Sequence, residues 1–245
     1  MSGEFSRRAR QVLAAIGPDD TSSVTAYADP RLTDVLSPDS LLGIVREILH
    51  DDAALAEVAA RSYTHSNGFD KITLISSRHP EFKLRLHAWW ATNRGDRNSE
   101  FIHNHRWHFR SSMLCGRAHL EMYEERTGGI LVYRHEYEPR DDRLETYGLR
   151  VVGPSTLASS LMLTLTPGCT YAMGPDLLHR VIPAGDRVSL TAVVRWATTR
   201  PTAWVFADAP IQDPILHVPS FTADELQSKL ENVVATLDQA VAPRD

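Results

Sequence analysis

The chain has 245 residues, 42% of them hydrophobic and 23% charged, with a formal net charge of −5. That length buries a substantial core, and the negative balance leaves no global attraction to nucleic acid or to an anionic membrane surface. No segment approaches the roughly 20 uninterrupted apolar residues that a membrane span needs.

Residues 1–65 read as helical decoration. The opening stretch MSGEFSRRARQVLAAIG is basic and then apolar; its apolar part is too short and interrupted for a secretory signal, and ARQVLAAIG has the periodicity of an amphipathic helix. Ser37 is placed as an N-cap and Pro38 as the first residue of a helix running through LLGIVREILH, because proline's missing N–H has no intrahelical partner at that position. DDAALAEVAARSY follows as another helix former.

Over residues 66–210 the texture changes to strands. KITLISS, FKLRLHAWW, SSMLCGRAHLEMYEE, ILVYRHEYE, LMLTLT and VSLTAVVRW are short, rich in β-branched or aromatic residues, and mostly alternate. The charged run EPRDDRLE reads as a solvated loop. Many strands without intervening helices predict a mainly β barrel or sandwich. Cys115 and Cys169 lie in or beside apolar strand-like runs, so they are expected as reduced thiols of a cytoplasmic protein. Residues 211–245 form a C-terminal segment in which Thr222 and Glu225 have capping-box spacing ahead of LQSKLENVVATL.

The informative segment is EFIHNHRWHFRSSMLCG, residues 100–116, with three of the eleven histidines. Alternate side chains on a strand share a face, so His103 and His105 are expected to project together and to share a metal ion. The third ligand must come from a distant element, and His179 in PGCTYAMGPDLLHRV is the candidate.

These residues resemble the two motifs of the cupin superfamily. His103, His105 and Gly116 fit the first motif, and Gly168 with His179 eleven positions later fits the second. The resemblance covers the stretch from Phe82 to Trp196 and implies a double-stranded β-helix, or jelly-roll barrel. The motif's acidic ligand would fall at Phe109 or Arg110, which leaves a three-histidine site as in the thiol dioxygenases among cupins. LLHRV followed by VSL likewise resembles the last-ligand segment of cysteine dioxygenases, although no cysteine stands where that family has its cross-linked thiol. Fe(II) is the ion implied; imidazole also suits Zn, Ni and Cu, and Mn is the remaining alternative.

Further candidates surround this set. His108 is read as a fourth ligand or a group acting on the metal site, with ordinary packing beside Trp107 as the alternative. Arg85 shares a strand face with His87 and is a candidate clamp for a substrate carboxylate, against an exposed strand face. Tyr171 and Trp196 are candidates to close the pocket. Asn104, Glu100 and Asp176 are candidate acceptors for the ligand imidazoles. Arg110 lies near the ligands, and Arg180 is read as structural.

The function expected is a non-haem Fe(II) dioxygenase or oxygenase acting with O2 on a small polar or anionic metabolite. A non-redox metal cupin (isomerase, lyase or hydrolase) and a non-catalytic small-molecule-binding cupin are the alternatives. No nucleic-acid or membrane partner is expected; a homodimer is.

Overall fold

The computed structural model describes residues 3–16, 28–91, 101–139, 146–184, 187–211 and 215–241. Four helices come first: α1 (Glu4–Ile16), α2 (Arg31–Val35), α3 (Pro38–Leu49) and α4 (Asp52–Ala59). The starts of α3 and α4 follow from capping chemistry. The Ser37 side chain accepts from the Ser40 N–H with Pro38 in the first turn, and Asp51 accepts from the Ala54 N–H. At the other end of the chain, α5 (Ala223–Val241) opens on a reciprocal capping box: the Thr222 N–H donates to Glu225 Oε2 (2.8 Å) and the Glu225 N–H to Thr222 Oγ1 (3.2 Å).

Between them run β1 (Tyr63–Thr64), β2 (Asp70–Arg78), β3 (Glu81–Trp89), β4 (Ile102–His103), β5 (Phe109–Cys115), β6 (Ala118–Pro139), β7 (Thr146–Leu165), β8 (Thr170–Met173), β9 (Leu178–Pro183), β10 (Ser189–Trp196), β11 (Ala203–Ala207) and β12 (Ile215–His217). They make two six-stranded sheets, ordered β1-β2-β3-β10-β5-β8 and β11-β4-β9-β6-β7-β12, and β11 also pairs with β6. The pairings are antiparallel, giving the two-sheet sandwich expected from the strand-rich texture, of the jelly-roll kind that the cupin resemblance implies.

Three layers result, because the first sheet is buried on both faces. Along β10 all eight residues are buried. Leu190, Ala192, Val194 and Trp196 join Leu84 and Leu86 of β3 against Leu13, Ile44, Ile48, Leu226 and Leu230 of the helices. On the opposite face Val193, Met113 and Trp89 meet Leu120 and Val181 of the second sheet. The helices therefore cover one face of the barrel and leave its interior to the site.

Three strand boundaries differ from the sequence reading. SSMLCGRAHLEMYEE is two strands, broken at Gly116, whose φ of +78° reverses the chain. ILVYRHEYE is the second half of β6, continuous with the first across a register shift between Glu125 and Ile130. β7 starts well before LMLTLT and carries Gly153 and Pro154 within it, where turn-forming residues read as a loop. The run EPRDDRLE falls mostly outside the described residues. Cys115 is buried, Cys169 is half-buried, and both are free thiols.

Candidate metal centre and its cavity

His103, the last residue of β4, is the register partner of His179 on β9. Pairing of two neighbouring strands therefore sets two of the three imidazoles side by side, with ring centroids 4.7 Å apart. His105 joins them at 4.9 Å from His103 and 5.1 Å from His179. One nitrogen from each ring falls within 4.8 Å of the others.

The expected continuous strand through His105 is not what aligns it. β4 ends at His103, and the next residue, Asn104, is buried and clamps the chain to β11. Its Oδ1 accepts from the Trp204 N–H (2.6 Å), and its own N–H donates to the Trp204 carbonyl (3.1 Å). This pair holds the segment extended, so His103 and His105 keep the shared direction that a strand would give. Asn104 is thus a backbone clamp rather than an acceptor for a ligand ring.

The imidazoles find other acceptors. His103 Nδ1 lies 2.9 Å from the Phe101 carbonyl and His179 Nδ1 lies 3.1 Å from the Leu177 carbonyl. Each Nδ1–H is held by the carbonyl two residues back, which presents Nε2 to the cluster in the acceptor form a metal requires. Burial supports the same protonation state. Desolvation pushes His179 down to about 3 and His105 well below the usual histidine range, and it lowers His103 as well. Three neutral, convergent imidazoles with pinned rings fit a divalent first-row ion.

The cluster sits on the wall of a cavity of about 150 Å³ that His103, His105 and His179 line together with Arg85, His87 and Tyr171. Arg85 and Tyr171 therefore lie on the cavity wall that the cluster shares. His108 does not. It lies outside the cluster and is absent from the cavity wall; after the bend at Arg106–Trp107 its ring turns toward Gly174 instead. Trp196 is fully buried against the helices and donates to the Leu13 carbonyl (3.3 Å), so it closes no pocket. Arg110 is tied to the Asp29 carbonyl and Thr33, Arg180 to Glu121 (2.6 Å), and Asp176 to Arg200. Glu100 lies outside the described residues.

Sequence reading missed several lining residues, among them Lys71, His65, Phe69 and Trp107. Lys71 is the register partner of His87, and that pairing carries it to the interior. A lysine alternating with Thr73 in KITLISS was the one signal for it.

Fold and site together define an antiparallel two-sheet sandwich with a three-histidine cluster on the wall of its interior cavity. No family model and no curated protein matches the chain. Among solved structures it is similar to hydroxypropylphosphonic acid epoxidase from S. wedmorenis in complex with fosfomycin, at 13% identity over 80% of this chain and 98% of that one, TM-score 0.35. A structure of Fe(II)-HppE with an alternative substrate matches over 52% of this chain and 49% of that one, at 13% identity and TM-score 0.33. An oxalate oxidase matches at 13% identity over 73% and 75%, TM-score 0.34. At such values the reading of the site rests on the chain's own residues.

Proposed function

We propose that the chain is a metal-dependent cupin enzyme, with Fe(II) held by His103, His105 and His179, that oxygenates a small anionic metabolite with O2. The observation that carries this is the convergence of three neutral imidazoles on one cavity, two of them fixed through Nδ1 by backbone carbonyls. Among the described residues no carboxylate lines that cavity. Held by the three histidines, a divalent ion would keep its full charge and would supply a binding site for an anion and for O2. Around that site the protein holds the ligand rings still. His105 stacks on Trp107 (5.5 Å) and meets the edge of Phe109 (4.9 Å). The resemblance to the thiol dioxygenases belongs to this proposal, as do Arg85 and Tyr171 as substrate-contacting residues.

Elemental analysis of protein purified without chelators is expected to give about one iron per chain, and His179→Ala to lose most of it. Anaerobic Fe(II) loading followed by O2 consumption with candidate acids tests the oxygenase step. Turnover that proceeds equally without O2 assigns the site to the non-redox alternative. Full metal content and activity in His179→Ala sink the assignment.

A further inference from the structure

The wall facing the histidines carries charge that the protein does not neutralise. Arg85 is 5% exposed, yet its Nε has no hydrogen-bond partner. Its guanidinium carbon lies 5.5 Å from the centre of the Trp107 ring. Lys71 lines the same cavity with its ammonium 4.5 Å over the Tyr63 ring. Among the described residues neither forms an ion pair. The difference from Arg195 lies at a terminal nitrogen and not at Nε: equally buried and also over Trp107 (4.8 Å), Arg195 donates through Nη1 to Glu81 (2.5 Å) and to the Trp196 carbonyl (2.8 Å). Arg106 is likewise tied down, donating to the Arg200 carbonyl (3.2 Å).

Burying a cation without a counter-charge costs several kcal/mol, which is why buried charges are normally paired. Desolvation already pulls Arg85 down to about 10 and Lys71 well below the usual lysine range. An anion entering the cavity removes that cost. The remaining lining is largely aromatic, with Tyr63, Phe69, Trp89, Trp107 and Tyr171 among it, and Phe69 stacks on His65 at 4.7 Å and 7°. The cavity offers about 150 Å³, well above the roughly 10–15 Å³ that a single water needs by the same measure, so a small organic acid fits.

We propose that the cavity takes a small aromatic carboxylate, its acid group cradled by Arg85 and Lys71 and its ring lying among Phe69, Trp89 and Trp107. This rests on reading the cavity as the substrate site of the metal-dependent enzyme, but the acid cradle itself needs no ion. Binding is therefore tested on metal-free protein, with sodium benzoate as the probe, benzamide as its uncharged counterpart and acetate as its ringless one.

Titration calorimetry and thermal shift are expected to show saturable benzoate binding, with benzamide and acetate weaker by about tenfold or more. Arg85→Met and Lys71→Met are expected to lose the benzoate response while taking up Fe(II) like the parent. Both are also expected to melt no lower than the parent without ligand, since each removes an uncompensated buried charge; a structural arginine or lysine gives the opposite sign. Should Arg85→Met fail to fold, the cradle is overturned at Arg85, and Lys71→Met still reads the second arm. Equal binding of benzoate and benzamide, or undiminished benzoate binding in both variants, also overturns the proposal. Benzoate binding without metal affinity sinks the metal reading and leaves the acid site standing; metal affinity without benzoate binding does the reverse.

Discussion

At the scale of single residues, the cavity concentrates imidazoles that are kept uncharged. Besides the three cluster histidines, burial holds His65 and His87 well below the ordinary range. In the unfolded chain each titrates near 6.5. Below that pH the unfolded state takes up protons that the folded state refuses, so stability rises with pH across the window and falls as pH drops through it. For His179 the window runs from about 6.5 down to about 3. Each such group adds up to about 1.4 kcal/mol of slope per pH unit. Scanning calorimetry of metal-free protein is expected to give a nearly constant melting temperature from pH 8 to 7 and a clear fall from pH 7 to 5. His87→Gln removes one group and is expected to make the fall shallower. An unchanged slope in that variant contradicts the view that the interior excludes the charged imidazole.

The same scale shows what was legible in the sequence. His103 and His105 were legible from their alternate positions, and His179 from the separation of eleven after Gly168 that the cupin resemblance implies. Arg85 and His87 were found from strand alternation. Lys71 was not, because its position depends on the β2–β3 register, a pairing that local pattern does not determine. His108 illustrates the converse. Its proximity in sequence suggested a ligand or a group acting on the metal site, but after the bend at Arg106–Trp107 it lies outside the cluster.

At the scale of elements, two motif glycines do different work. Gly116 links β5 to β6 at a φ of +78°, and a Cβ there meets the Val188 carbonyl oxygen at 2.4 Å and Ser189 Oγ at 2.5 Å. Gly168, ahead of β8, has a φ of +88° but open space around it. Left-handed backbone alone costs a non-glycine residue about 1 kcal/mol, whereas backbone contact at that distance forces the strands apart. Gly168→Ala is therefore expected to lose about 1 kcal/mol in urea denaturation, and Gly116→Ala about 3 kcal/mol or more. Equal losses argue that neighbouring chain contributes nothing at Gly116. Element types were mostly readable, since capping boxes and strand alternation are local. The break at Gly116 and the length of β7 were not: whether a glycine turns the chain, as at Gly116, or is carried within a strand, as at Gly153, depends on the partner strand and not on local pattern.

At the scale of the whole molecule, the C-terminal helix reaches the cavity wall through one buried carboxylate. The Asp70 side chain is fully buried at the start of β2, beside the cavity residues Phe69 and Lys71. It accepts from Thr64 Oγ1 (2.7 Å), Trp90 Nε1 (2.5 Å) and Lys229 Nζ of α5 (2.7 Å). Lys229 supplies the only cation in that set, across 159 residues of chain. Removing it leaves a buried carboxylate with two neutral donors, a loss of about 3 kcal/mol by the usual cost of breaking such a pair, reduced toward about 2 kcal/mol because the Lys229 side chain is 26% exposed. Lys229→Met is expected to show that loss in denaturant titrations, and Asp70→Asn in the same background to recover part of it, since an amide tolerates burial without a cation. Because Asp70 anchors the strand that carries Lys71, Lys229→Met is also expected to weaken benzoate binding although it lies outside the cavity. Fluorescence and circular dichroism should report one coincident transition in the parent, as helices and first sheet share a single core. Two separated transitions, or full stability in Lys229→Met, show instead that the helix rides on the sandwich without bracing it.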